Sequence, residues 1–479
     1  MRRSVIILFA KQLWQTTFRS KVLHITMVLV IVLIAFAAYS GWDNYNTQNR
    51  IRNFYQEEAR HSWESNPDKH PHRMAHYGSF AFRLKHKLSL FDFGMENYTG
   101  NAVFLEAHKQ NTINFSEASL STGLLRFGEV SLAMLLKIIF PLLIFYLGFG
   151  ALAGERENNT LKIMINQGAT WSEIFFGKSL GLMSLAMFFF IPVIIITLLF
   201  MFLAEGNPIT SSELLRYFIL ILSYVLFFGI ISSITILISA MSKTAKDSLI
   251  KLLGIWLFFI IILPKTLQAF GHYLYPTPSK IEFESIVEND LIKEGDSHNP
   301  DDIHYKAIKD SVLLANNVES VDQLPFNYGG FIMSQSEKIS ASIYNQHLNN
   351  LLSTYKSQNA IERFSAILNP YTAIKHISMA FSGTDFASYI NFQHQAERYR
   401  FQLAQEMNSL QMKFIPNKKT DTPSIIDKSH WEAFPDFKYD HLPVFSILKN
   451  EALSIFSLIL WSILSVIIIK KISKKTKVL

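Results

Sequence analysis

The chain has 479 residues, 49% of them hydrophobic and 40 of them Phe, and the apolar residues are clumped into long runs, which excludes an ordinary soluble enzyme and marks an integral membrane protein. A net charge of +7 raises nucleic acid as a partner, but the basic residues concentrate beside apolar runs, where they neutralise lipid phosphates and set orientation, so no nucleic acid is expected. There is no cysteine, which excludes disulfides and thiolate metal sites and leaves any extracytoplasmic domain to hold together by packing alone.

Residues 1–21 carry Arg2, Arg3, Lys11, Arg19 and Lys21 without an acidic residue, and Val5, Ile6, Phe9, Leu13 and Trp14 recur at helical spacing. This predicts a cytoplasmic amphipathic interface helix in the headgroup layer, with Arg2, Arg3 and Arg19 as its basic contacts and Trp14 as its anchor. A cleavable signal peptide is the rival reading. It fails because Val22–Ala38 is too long for a signal core and continues into Tyr39 and Trp42, so 22–42 is a first span.

Residues 43–128 are polar and have no membrane-length run, which predicts a first extracytoplasmic domain with a helix over Thr47–Arg60. His61, His70, His72 and His76 lie close together there, with His108 further on. Imidazoles so clustered make His70, His72, His76 and His108 candidate ligands, yet the spacing matches no metal signature and clustered surface histidines are common. The expectation is therefore no metal site.

A second span covers 129–153, with Lys137 expected to snorkel to the headgroups. Residues 154–178 form a charged island, GERENNTLKIMINQGATWSEIFFGK, whose apolar spacing over Thr160–Ile165 and break at Asn166–Ala169 predict helix, turn and helix at one membrane face. Spans follow at 179–204 and 214–241, the latter offering Ser223, Tyr224, Ser232, Ser233 and Thr235 as a thin polar lining. A fifth span at 249–272 is flanked by lysines; a re-entrant helix is its alternative, and a spanning helix is favoured because the last run then has consistent sidedness.

Residues 273–445 make a second, mainly helical extracytoplasmic domain, with a hairpin of Ser334–Leu368 and Thr384–Met412 and with Thr384 or Asp385 as an N-cap. The sixth span is 447–470, and 471–479 is a basic cytoplasmic tail. Lysine and arginine in the short segments put both termini and the island on the cytoplasmic side and both domains outside.

The amphipathic helix, the six spans and above all the stretch 154–178 resemble the membrane subunits of ABC-2-type transporters. The resemblance implies six transmembrane helices in an ABC-2-type, type V exporter-like arrangement in the bacterial cytoplasmic membrane. It implies coupling helices docked on a cytoplasmic ABC ATPase dimer, with Glu155, Arg156, Glu157, Thr160 and Leu161 in the first part, Gly168 in the turn, and Trp171, Gly177 and Lys178 in the second. Such subunits pair with a second permease chain, identical or related. A bacterial subgroup with large domains between spans one and two and between spans five and six is similar through HRMAHYGSFAFR, FLEAHKQN, LLRFGEV, NPYTAIKHISMAFSGTDF and FQHQAERYRFQLAQEMN.

Gly177-Lys178-Ser179 imitates a phosphate-binding loop, but position 172 is Ser where that loop needs Gly, and no strand precedes it. The chain is thus expected to be non-catalytic, binding no cofactor itself, with ATP and Mg held by the partner ATPase. In HQAERYR, Glu397 and Arg400 stand three apart on a helix and are expected to pair rather than catalyse. Three functions fit: export or membrane extraction of a substrate; mechanical transmission to a periplasmic or outer-membrane partner with no transport path; and metal or metal-chelate handling by the histidines.

Overall fold

The computed structural model describes residues 1–111, 130–206, 208–297, 299, 302–418 and 424–475. The expected boundary at 128–129, most of LLRFGEV and the last four residues of the tail lie outside them. Among the described residues six helices are long and apolar enough to cross a membrane, and the chain is a multi-pass membrane protein. They are α2 (Lys21–Glu64), α4 (Leu132–Glu157), α6 (Trp171–Leu203), α7 (Ser211–Met241), α8 (Ala245–Leu274) and α14 (Ala452–Lys475). α1 (Arg3–Phe18) precedes them.

The helix starts are written in local chemistry. Thr170 with Glu173 and Thr210 with Glu213 form capping boxes for α6 and α7, and the Thr244 side chain accepts from the Asp247 amide at the start of α8. The run of α8 is continuous for 30 residues, as a spanning helix requires. α2 differs from expectation. Its 44 residues are one uninterrupted helix of about 66 Å at 1.5 Å per residue, so the first span carries straight on through 43–64 instead of ending at a domain boundary.

At one end of the bundle sits a lobe built from both long inserts. It contains α3 (Pro71–Tyr77), β1 (Ser79–Phe82), β2 (Ala102–Leu105), α9 (Lys280–Lys293), α10 (Ile303–Ala315), α11 (Tyr328–Phe364) and α13 (Phe386–Phe414). α12 (Pro370–Ser382) lies between α11 and α13 in the chain. β1 and β2 pair antiparallel, Ser79 opposite Leu105 and Phe82 opposite Ala102. The two inserts are separate domains only in sequence. Trp63, Met74 and Ala107 share one core with Leu403, Met407 and Trp431, and Ala81, Val103 and Leu105 share another with Phe392, Ala396 and Phe437. Burial of that shared apolar surface is the term that holds them together.

Within the lobe Glu96 lies between Arg52 (3.1 Å) and Lys85 (3.4 Å), all buried. Burial alone would raise the Glu96 carboxyl, but the charges of Lys85, Arg52 and Arg83 outweigh it and hold it at about 2. The expected hairpin is present, with Ser334 bonding Gln405 across α11 and α13 at 2.6 Å. Asp385 is the N-cap of α13, its carboxylate accepting from the Ser388 amide, and Gly383 ends α12 at φ +72°.

The connection between the hairpin arms does not stay in the lobe. α12 inserts into the bundle between α7 and α14, where Ile374, Ile377, Ala380 and Phe381 are buried among the spans. Two of its polar contacts reach the spans: Ser378 Oγ lies 2.9 Å from Tyr224 Oη, and Nδ2 of the capping Asn369 donates to Phe259 O at 2.7 Å. Phe259 belongs to a π-turn at Leu257–Ile262, and a second π-turn at Leu135–Ile139 has its Ile138 carbonyl taken by Trp256 Nε1 at 3.0 Å.

Lys137 corrects the snorkelling expectation. It is buried, and its Nζ lies 2.7 Å from Asp92 Oδ2, which also accepts from Ser378 Oγ at 2.5 Å. Asp92 comes from the lobe segment just after a 3-10 turn at Lys87–Leu90. A lysine with a carboxylate brought to it has no reason to reach for headgroups. The expected lining of α7 also resolves differently: Ser223, Ser233 and Thr235 donate to their own helix carbonyls four residues back, and Tyr224 faces α12.

Candidate functional site

The charged island lies at the end of the bundle opposite the lobe, beside the N-terminal helix and the end of the last span, where Ser172 Oγ meets Ser473 Oγ at 2.6 Å. It is the expected helix, turn and helix. α4 ends at Glu157, α5 (Thr160–Asn166) follows Asn159 at φ +61°, and Gly168 at φ +89° makes the second turn before α6.

Most of the charges of the island are consumed inside the chain. Glu155 Oε1 is 2.5 Å from Lys178 Nζ and accepts from Gln12 of α1 at 3.3 Å. Arg156 donates to Ser242 O, and to Ala240 O at 2.7 Å, capping carbonyls left open at the end of α7. Glu157 accepts from the Ala245 amide at 3.0 Å, in the first turn of α8. Thr160 donates to Glu155 O at 3.1 Å. Trp171 packs on Phe175 with ring centroids 6.0 Å apart.

Leu161 is buried at 2% exposure and serves the core. Its neighbour Ile163 is 55% exposed, with Lys162, Asn166 and Gln167 also exposed. The outward face of α5 is therefore an apolar side chain ringed by amides and one lysine. Helical spacing alone could not choose between Leu161 and Ile163 as the inward residue, because a seven-residue helix offers too little period.

α1 packs along the first half of α6. A Cβ at Gly177 would stand 2.7 Å from Ile6 O and 2.6 Å from Phe9 Cβ, so glycine permits the close approach. Trp14 is anchored to protein, donating to Ser184 Oγ at 2.7 Å. Arg2 bonds Glu173 Oε2 at 2.9 Å and Gly168 O at 2.5 Å, which fastens α1 to the island turn. Arg3 and Arg19 are exposed. Glu173 was missed as a site residue, though Thr170-x-x-Glu173 is a capping-box signal visible in the sequence.

The histidines of the lobe form a second constellation. His72 and His76 stand four apart on α3, with their Nε2 atoms 3.2 Å apart. His108, in a tight turn at φ +60°, brings its ring centroid to 5.5 Å from His72 and 5.2 Å from His76. One ligand atom from each of the three lies within 4.8 Å of the others. His70 stands outside this group: its Nδ1 caps α3 by accepting from the His72 amide at 3.2 Å.

Behind His108 is Glu337 of α11, fully buried, with Oε2 3.3 Å from His108 Nδ1 and 2.9 Å from the His108 amide. Its other oxygen takes Arg400 Nη1 at 2.6 Å, and Arg400 forks onto Glu397 at 2.7 and 2.8 Å, as the spacing in HQAERYR predicts. Burial would raise the Glu337 carboxyl, but hydrogen bonds from His108 and the Arg400 charge outweigh it and hold it at about 2. Glu337 has no local sequence signal; only folding brings it to His108.

A family model described as a domain of unknown function, DUF3526, matches residues 280–440, from α9 through α13 and the segment after it. No curated protein matches the chain.

Proposed function

We propose that the chain is the membrane-spanning permease subunit of an ATP-driven ABC transporter, coupling hydrolysis by a separate cytoplasmic ATPase dimer to export or membrane extraction of a substrate. The observation that carries the reading is the island. It is a helix–turn–helix whose Glu155, Arg156, Glu157, Glu173 and Lys178 are bonded within the chain, leaving the α5 face that carries Lys162 and Ile163 as its outward contact at the end that holds the N-terminus and the end of the last span. Its motif resembles the coupling segment of ABC-2-type membrane subunits. In this arrangement ATP and Mg2+ belong to the partner, the island end is cytoplasmic, the lobe is extracytoplasmic, and a second permease chain completes the assembly.

Closure of the ATPase dimer would push α5, and the Arg2–Glu173 and Lys178–Glu155 pairs would pass the displacement to α1 and α6 as one body. A second reading, mechanical transmission to a periplasmic or outer-membrane partner, is favoured by the wiring at the other end. α12 and Asp92 fasten the lobe into the spans, and the cavity there, lined by Phe91, Phe190 and Tyr224, has about 10 Å³, room for about one water.

The test is Ile163→Asp. The side chain is exposed, so the chain should fold and insert as before, while the ATPase that accompanies it from its native membrane should be retained at least about tenfold less, the loss expected for one contact worth about 1.4 kcal/mol. Undiminished co-purification would remove α5 as the docking face. Leu161 is unsuitable for this purpose, because its replacement would empty a core position.

A further inference from the structure

We propose that His72, His76 and His108 form a three-imidazole site for a divalent transition metal of the zinc class, with Glu337 as its orienting carboxylate. The inference stands independently of the transport reading.

The geometry suits such an ion before it arrives. Four-coordinate zinc with Zn–N bonds of about 2.05 Å needs nitrogens about 3.3 Å apart, and the His72 and His76 Nε2 atoms are 3.2 Å apart. The same pair shares one N–H···N hydrogen bond. The i, i+4 placement on α3 fixes two ligands on one face, and the left-handed turn at His108 presents the third. All three ligand atoms fall within 4.8 Å of one another.

The supporting carboxylate is the second argument. Glu337 lies on the Nδ1 side of His108 and fixes the ring with Nε2 turned to the side of the other two histidines, the arrangement by which metal-binding histidines are oriented. Glu337 is itself held by Arg400 and the His108 amide, so the ring cannot swing without breaking a buried pair.

The donor set chooses the metal class. Three imidazoles and no thiolate or carboxylate ligand favour Zn2+, Cu2+ or Ni2+ over Ca2+ or Mg2+. His76 is exposed, so a fourth position faces solvent, open to water or a solute ligand. All three ligands come from the first insert, while Glu337 and Arg400 of the second hold the His108 ring, so the site lies at the seam between the two inserts.

The experiment uses the full chain in detergent, purified through a tag without histidines, stripped with EDTA and titrated with Zn2+ against a chromophoric chelator. One equivalent per chain should bind. His76→Ala and His72→Ala should each weaken it by at least about tenfold, since losing a ligand costs no less than losing an outer-shell partner, while His70→Ala should leave it within about threefold. Co2+ bound to the unmodified chain should show the intense visible bands of a four-coordinate site, a readout that needs no variant. Absence of a bound equivalent, a weak six-coordinate Co2+ spectrum, or a loss in His70→Ala as large as in His76→Ala would overturn the site.

Discussion

Lys137→Met is expected to destabilise the protein by about 3–5 kcal/mol, the cost of leaving one partner of a buried ion pair behind. The carboxylate left behind is Asp92, 4% exposed on its side chain, inside the bundle and shared with Ser378 of the inserted helix α12. Its loss of a counter-charge should loosen α12 and with it the seam between lobe and spans. The measurement is thermal unfolding in detergent, followed by the surviving monodisperse fraction on size exclusion. Lys137→Arg should keep most of the stability, and the double variant Lys137→Met with Asp92→Asn should recover a large part of it, because both charges are then removed. A single variant as stable as the parent would mean that Lys137 reaches the headgroups after all.

Arg400→Met is the second large effect. It strips the only guanidinium from between Glu337, which is fully buried, and Glu397, whose side chain is 14% exposed. A cost of about 3–5 kcal/mol is expected here as well, since two neighbouring carboxylates lose the charge that permits both to ionise. The loss should be local to the lobe. Trp63 and Trp431, buried in the shared core beside α13, would report it as an early fluorescence transition that precedes unfolding of the spans. Arg400→Lys should rescue only partly, because an ammonium cannot fork onto Glu397 while also holding Glu337. Restored stability in Arg400→Met with Glu337→Gln and Glu397→Gln would identify the buried charges as the cause; an unchanged transition in the single variant would contradict it.

The six spans were legible because lipid-length apolar runs need no tertiary information, and the island was legible because its charges interrupt two such runs. The continuity of α2 past Trp42 was hidden by composition: the polar stretch from Asp43 reads as a new domain, yet residues 43–64 contain neither Gly nor Pro to stop a helix already under way. α12 escaped notice because 13 residues are too few to register as membrane-embedded, although Ser378 meets Tyr224 of α7 and the capping Asn369 meets the Phe259 carbonyl of α8. Lys137 could not be assigned a partner from sequence, since Asp92 lies 45 residues away in a polar segment and is delivered by a turn. The same holds for His108 and Glu337, separated by 229 residues. Of the four candidate histidines, none was singled out by sequence: His72 and His76 became an i, i+4 pair only once α3 was seen, His70 was excluded by its capping bond, and His108 was admitted by the fold.

In the island the sequence reads its charged residues as contacts for a partner, and the structure gives most of them neighbours within the chain. Glu155, Arg156 and Glu157 bind Lys178, the end of α7 and the start of α8, so they brace the segment and leave contact to the face of Ile163. A photo-crosslinking amino acid at position 163, activated in native membranes and followed by labelling with azido-ATP, tests that assignment directly. The account predicts a crosslinked product that carries the nucleotide label and disappears when excess ATP competes during labelling. Crosslinks from position 163 that reach no ATP-binding protein would contradict the claim that energy enters this chain through α5.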